Sequence, residues 1–149
     1  MQVLKEEQQQ LKTCSEDLSR IIYAMALAGK EVSEVASKLA LLGMLGSRGT
    51  YNPSGDAQKK LDVLAHNFFV QALAATEKVG AIISEEEADI VMLGNGRDGD
   101  YVVAIDPIDG TSNIDVNATI GTIFSVYQRC TIQASSVQLA DVLQAGSKQ

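Results

Sequence analysis

Tryptophan is absent from this 149-residue sequence, histidine occurs once, and cysteine and proline occur twice each. Cys14 and Cys130 lie 116 positions apart with no CxxC or Cys/His spacing, which excludes a disulfide framework, argues against zinc and fits a reducing, cytoplasmic compartment. No run of about 18 apolar residues occurs, so no apolar helical span is expected. The opening MQVLKEEQQQLK has no apolar core of a secretory signal. An excess of bases is also missing: 12 Lys+Arg stand against 19 Asp+Glu, a net charge of −7 that argues against nonspecific nucleic-acid binding. What is present is a 46% apolar fraction, enough for one folded domain with a core.

The first half reads as helical. Leu4, Leu11, Leu18, Ile21, Ile22 and Met25 recur at helical spacing, predicting a helix over about 4–27 that Gly29 ends, followed by a second over about 31–42. GMLGSRGTYNPSGD reads as a loop. A third helix is expected over about 57–76, capped by Ser54 or Asp56, with Leu61, Leu64, Phe68 and Leu73 as its apolar stripe. His66 beside that stripe reads as a helix-surface residue. After Gly80, β-rich runs appear at 79–83, 89–93, 100–105 and 119–129, and the tail offers one short helical turn. Helices followed by strands describe an α/β architecture with helices packed on a mixed sheet.

The charge is concentrated. Residues 85–115 hold nine carboxylates and one base, Arg97, a local −8, which leaves +1 for the rest. Such a cluster is either a solvated acidic loop or a cation site. The segment YVVAIDPIDGTSNID favours the second reading. A β-run delivers Asp106, Pro107 is expected to turn the chain, and Asp109 follows with the Ile108 carbonyl between them, a hard-oxygen set suited to divalent cations. Gly110, Thr111, Ser112 and Asn113 then offer N–H groups and hydroxyls to an anionic oxygen, so cation and phosphate donors stand side by side. In ISEEEAD, Glu85 and Glu86 follow an apolar run that would point them at a common site. Alone, three consecutive glutamates read as an ordinary solvated run; it is the neighbouring 106–110 turn that makes Glu85 a natural bridging ligand and Glu86 an acid/base partner. Asp56 and Asp62 in GDAQKKLD are a plausible helix cap and a plausible solvated helix residue, not compelling by themselves.

GDAQKKLDVL, ISEEEADI and YVVAIDPIDGTSNIDVNATIGTIFSVYQR together resemble, in order and spacing, the N-terminal half of class 1 fructose-1,6-bisphosphatases, within the lithium-sensitive sugar and inositol phosphatase superfamily. The resemblance implies the N-terminal part of a layered αβαβα fold and Mg²⁺-dependent hydrolysis of the 1-phosphate of fructose 1,6-bisphosphate. It implies that Glu85, Asp106, the Ile108 carbonyl and Asp109 hold Mg²⁺ or Mn²⁺, two or more ions. Glu86, Asp62 and Asp56 would orient and deprotonate the attacking water, and Asp109, Gly110, Thr111, Ser112 and Asn113 would hold the phosphate. A sedoheptulose-bisphosphatase or an inositol-phosphate phosphatase is the alternative within the class. A noncatalytic module that binds metal or phosphate, or pairs with a full-length subunit, is the alternative outside it.

Some positions depart from the family pattern. Thr111 replaces a serine. Asp100 before Tyr101, and Gln128, stand where AMP-regulated relatives tend to carry bases, which argues against nucleotide inhibition of the animal type. The cysteine-rich loop of light-regulated plastid enzymes is missing. Nothing resembling the family's sugar-binding second half follows Gln149, so the expectations are weak or no turnover by the chain alone, an exposed apolar face and self-association. The remaining expectations are a sugar bisphosphate as substrate, a homo-oligomer, no nucleic-acid or membrane partner, and a cytoplasmic location, or a plastid one had a transit peptide been removed.

Overall fold

The computed structural model describes residues 15–38, 47–51, 57–94, 99–116, 118–131, 134 and 136–146. The first described element is one helix, α1 (Glu16–Ala36), where the sequence suggested two. Its N-cap is Ser15, whose hydroxyl accepts from the Leu18 N–H at 3.2 Å. Gly29 does not end it. Ile21, Met25, Ala28 and Val32 form one continuous buried stripe across that position, and burying those side chains outweighs the roughly 1 kcal/mol that a mid-helix glycine costs. The expected positions Leu4 and Leu11, and the last four residues of the expected second helix, 39–42, lie outside the described residues.

The Gly-rich stretch read as a loop contains a short strand, β1 (Ser47–Tyr51), which pairs antiparallel with β2 (Ala57–Lys59) at the start of the expected third helix. The next helix therefore starts late: α2 spans Lys60–Ala74, three residues inside the expected boundary. Its buried stripe is Leu61, Ala65, Phe69 and Leu73, a strict i, i+4 series. The sequence reading placed Leu64 and Phe68 there, but both are only partly buried. The true face also carries two buried polar residues, Asp62 and His66, again four apart.

A four-stranded mixed sheet follows, in the order β4-β3-β5-β6, formed by β3 (Val79–Ser84), β4 (Val91–Met92), β5 (Tyr101–Asp109) and β6 (Gly121–Gln128). β3 and β5 are parallel, and β4 and β6 run antiparallel to their neighbours. α2 packs on β3 and β5, and α1 packs on α2. The core lies between them, joining Ile21, Met25, Phe69 and Leu73 to Ile82, Val103 and Ile105. On β6, Ile123 and Phe124 remain exposed. Gly99 enters β5 at φ +110°, where a Cβ would stand 2.5 Å from the Gly80 nitrogen, so this approach of two backbones requires glycine.

The tail is pinned by a clip that the sequence reading did not anticipate. After β6, Arg129 and Asp141 are both buried, with Nε 3.5 Å from Oδ2. The Arg129 guanidinium also donates to the Gly99 and Thr131 carbonyls. Burial acts to raise the Asp141 pKa, but N–H groups of Gln138 and Thr131 and the Thr131 hydroxyl outweigh it and hold the carboxyl well below the usual range. This anchors the short helix α3 (Leu139–Val142) against β5 and β6.

Candidate metal and phosphate site

β5 does not turn at Pro107; it continues to Asp109. The strand accommodates proline because β3 pairs with it only as far as Ile105, so no partner on that side needs a Pro107 N–H. On the β6 side the register slips between Asp106↔Ile123 and Asp109↔Gly121: three steps on β5 oppose two on β6, a β-bulge. The bulge is secured by the Ile108 N–H to Asp106 Oδ1 at 3.0 Å and the Thr122 hydroxyl to the Pro107 carbonyl at 2.9 Å. It re-aims the carboxylates at 106 and 109 where a regular strand would alternate them.

Parallel pairing of β3 with β5 sets Ser84 opposite Ile105 and brings Glu85, just past the strand end, beside Asp106. The Glu85 N–H donates to the Ile105 carbonyl at 3.1 Å. Asp106 is pushed up to about 6 by partial burial first, then by the Glu85 charge and the hydrogen bond the two carboxyls share; the Ile108 N–H opposes this and Asp109 adds to it. The Glu85 and Asp106 carboxyls are thus held side by side, and it is the Asp106 carboxyl whose pKa their proximity raises. They border a shallow depression of about 320 Å³ on the sheet, flanked by Ile123 and Phe124 of β6. Among the described residues no three His, Cys, Asp or Glu side chains close on a single point, so Asp109 stands beside the pair and not within a finished carboxylate cage.

Downstream of the bulge, Gly110 adopts φ +88°, and a Cβ there would crowd the Asn113 amide at 3.3 Å and the Thr119 carbonyl at 3.4 Å. The chain then enters a 3₁₀ turn, Thr111–Val116. The Asn113 side chain donates to the Thr119 carbonyl at 2.8 Å and its N–H to the Gly110 carbonyl, so Asn113 closes the turn on itself. The Thr111 hydroxyl lies 3.2 Å from Asp62 Oδ1 and 3.1 Å from the Ile108 carbonyl. Asp62 is therefore buried at the back of the turn, not solvated on a helix surface. Ser112 is exposed, Glu86 is partly buried and Asp56 lies outside the described residues.

His66 is the largest correction at the site. It is buried, with Nδ1 2.9 Å from the Ser84 hydroxyl and Nε2 3.7 Å from Glu87 Oε1. Burial lowers its pKa more than the Glu87 charge raises it. Its spacing from Asp62 was the one available signal, because residues four apart share a helix face. The donor set of Glu85, Asp106, Asp109 and the Ile108 carbonyl is all hard oxygen, which fits Mg²⁺ or Mn²⁺, and a cation held there would favour the ionised form of Asp106.

Comparison with known proteins identifies the family to which this fold belongs. The family description "Fructose-1-6-bisphosphatase, N-terminal domain" matches residues 1–149. A class 1 fructose-1,6-bisphosphatase of Amoebophilus asiaticus is 42% identical over 148 residues, covering 99% of this chain and 44% of that protein. The holo crystal structure of Leishmania major fructose-1,6-bisphosphatase superimposes with a TM-score of 0.83 at 29% identity, covering 95% of this chain and 45% of that one. The apo structure of the same enzyme gives 0.64 at 26% identity, over 83% and 36%. The chain belongs to the fructose-1,6-bisphosphatase family, and its α/β fold is that family's. It is a homologue of class 1 fructose-1,6-bisphosphatase and spans less than half the length of the relatives it matches.

Proposed function

We propose that this chain provides the metal- and 1-phosphate-binding part of a Mg²⁺-dependent fructose-1,6-bisphosphatase. The observation that carries the reading is the Glu85–Asp106 pair, two carboxyls that the parallel β3–β5 register sets side by side shortly before a Gly110-Thr111-Ser112 turn. Glu85, Asp106, Asp109 and the Ile108 carbonyl would hold Mg²⁺ or Mn²⁺, two or more ions. Bound there, the ions would supply charge neutralisation for an in-line displacement and lower the pKa of a bound water.

The rest falls to this chain's own groups. N–H groups and hydroxyls of Gly110 to Ser112 orient the phosphate, and Glu86, with Asp62 and Asp56, takes the proton of the attacking water. The water oxygen bonds to phosphorus as the bond to the sugar oxygen breaks, and that oxygen is reprotonated to give fructose 6-phosphate. The Asn113 side-chain amide donates to the Thr119 carbonyl at 2.8 Å, so Asn113 serves the phosphate turn by holding its shape. A homo-oligomer and a cytoplasmic location accompany the proposal, testable by size-exclusion chromatography and fractionation.

A second reading is that this part binds metal and phosphate without turning substrate over by itself, or pairs with a full-length subunit. Phosphate release from fructose 1,6-bisphosphate, with and without Mg²⁺ and beside Asp106→Ala, tests both. Slow release that requires Mg²⁺ and is lost in Asp106→Ala is the result expected of the first reading. Metal-dependent phosphate binding without release favours the second. Release that persists in chelator or in Asp106→Ala contradicts the site.

A further inference from the structure

The buried face of α2 reaches two separate loops of the site through two polar residues one helical turn apart. Asp62 meets the Thr111 hydroxyl at 3.2 Å, and His66 meets the Ser84 hydroxyl at 2.9 Å. Ser84 is the last residue of β3, directly before Glu85. Its hydroxyl accepts the Glu86 N–H at 3.3 Å, and its carbonyl accepts the Glu87 N–H, also at 3.3 Å. The turn that aims Glu85 and Glu86 is therefore hung on Ser84, and the rotamer of Ser84 is fixed from behind by His66.

The hydrogen bonds at Ser84 favour one protonation of that contact. A serine hydroxyl has one proton to give and lone pairs to accept with. With the Glu86 N–H pointing into the oxygen, the hydroxyl proton goes to Nδ1, which leaves the imidazole proton on Nε2, facing the Glu87 carboxylate 3.7 Å away. In the opposite tautomer Ser84 would accept from both sides and its own proton would have no described acceptor. A buried imidazole held neutral is consistent with this arrangement.

We propose that His66, as the neutral Nε2–H tautomer, is a positioning residue for the metal site, fixing the Glu85–Glu86 turn through Ser84. The inference rests on the proposed metal-binding reading, and its closing experiment separates the two. His66 is the only histidine, so its ring nitrogens are a unique nuclear magnetic resonance signal in the ¹⁵N-labelled chain. Three things are measured for wild type, His66→Leu, His66→Asn and Ser84→Ala: the ring-nitrogen shifts of wild type, amide exchange at Glu86, and Mn²⁺ affinity by calorimetry, with thermal melting as the control for folding.

The expected result is a pyridine-type Nδ1 and a pyrrole-type Nε2 in wild type. His66→Leu and Ser84→Ala should exchange Glu86 at least about tenfold faster and weaken Mn²⁺ by about tenfold while still melting cooperatively, a loss of about 1.4 kcal/mol in binding. His66→Asn, which keeps a hydrogen-bonding partner for Ser84, should recover most of both. Unchanged exchange and affinity in folded His66→Leu and Ser84→Ala overturn the proposal, as does a proton found on Nδ1. If wild type binds no Mn²⁺ but Glu86 exchange still responds to His66, the metal reading fails and the positioning contact stands.

Discussion

Replacing Asp106 by asparagine should stabilise the protein without metal while destroying its ability to bind metal. The Asp106 carboxyl is displaced from an ordinary 3.8 to about 6, a shift of about two units. At about 1.4 kcal/mol per unit this is at most about 3 kcal/mol, and partial exposure of the pair to solvent reduces it to about 1–1.5 kcal/mol. Because the folded-state pKa is raised, the protonated carboxyl stabilises the fold fully below about pH 3.8, and that contribution is lost as pH rises through 6. Asparagine keeps the Oδ1 acceptor for the Ile108 N–H and carries no charge toward Glu85. In chelator at pH 7.5, Asp106→Asn should melt about 4 °C above wild type, and the gap should close by pH 4. Mg²⁺ at about 100 times its dissociation constant should add about 2.7 kcal/mol to wild type and nothing to the variant, inverting the order. Melting curves at pH 4, 6 and 7.5 with and without Mg²⁺ test this. A variant less stable than wild type in chelator at pH 7.5 would refute the like-charge argument.

Further consequences follow from the same structure. Gly99→Ala should cost at least about 3 kcal/mol by chemical denaturation, since it forces a side chain into φ +110° and a 2.5 Å approach to Gly80. Phe69→Ala should cost about 3–5 kcal/mol through the cavity left between α2 and the sheet. Asp141→Ala leaves Arg129 buried without its counter-charge and should cost about 3 kcal/mol. Since the Asp141 pKa is depressed, its contribution is present above the ordinary carboxylate range and is lost as pH falls below it, so an acid titration of wild type against Asp141→Asn should converge at low pH.

The carboxylates of the candidate site stand out in the sequence because their residue types are contiguous: Asp106, Asp109 and Gly110 sit in one short segment, and Glu85 follows a recognisable strand. The supports of the site were not. His66 and Asp62 are polar residues on a helix whose neighbouring positions, Leu64 and Phe68, are apolar, so periodicity placed the stripe one residue away from the face that packs. Only the partners across the chain, Ser84 and Thr111, reveal which face is inside. The pairing of β1, in a Gly-rich segment, with β2 and the passage of α1 through Gly29 were hidden for a related reason: both depend on contacts that local propensity does not encode. Pro107 looked like a turn because its effect on a strand depends on whether a neighbour needs its N–H, and β3 stops just short of it.

The account stands on Glu85 and Asp106 forming the centre of a divalent-cation site, and calorimetric titration of Mn²⁺ into wild type and Asp106→Ala near pH 6 in two buffers of different ionisation heat tests that directly. Saturable binding with proton release in wild type, and none in Asp106→Ala, is the predicted result. Equal affinity in the two proteins, or binding that moves no proton, would contradict it.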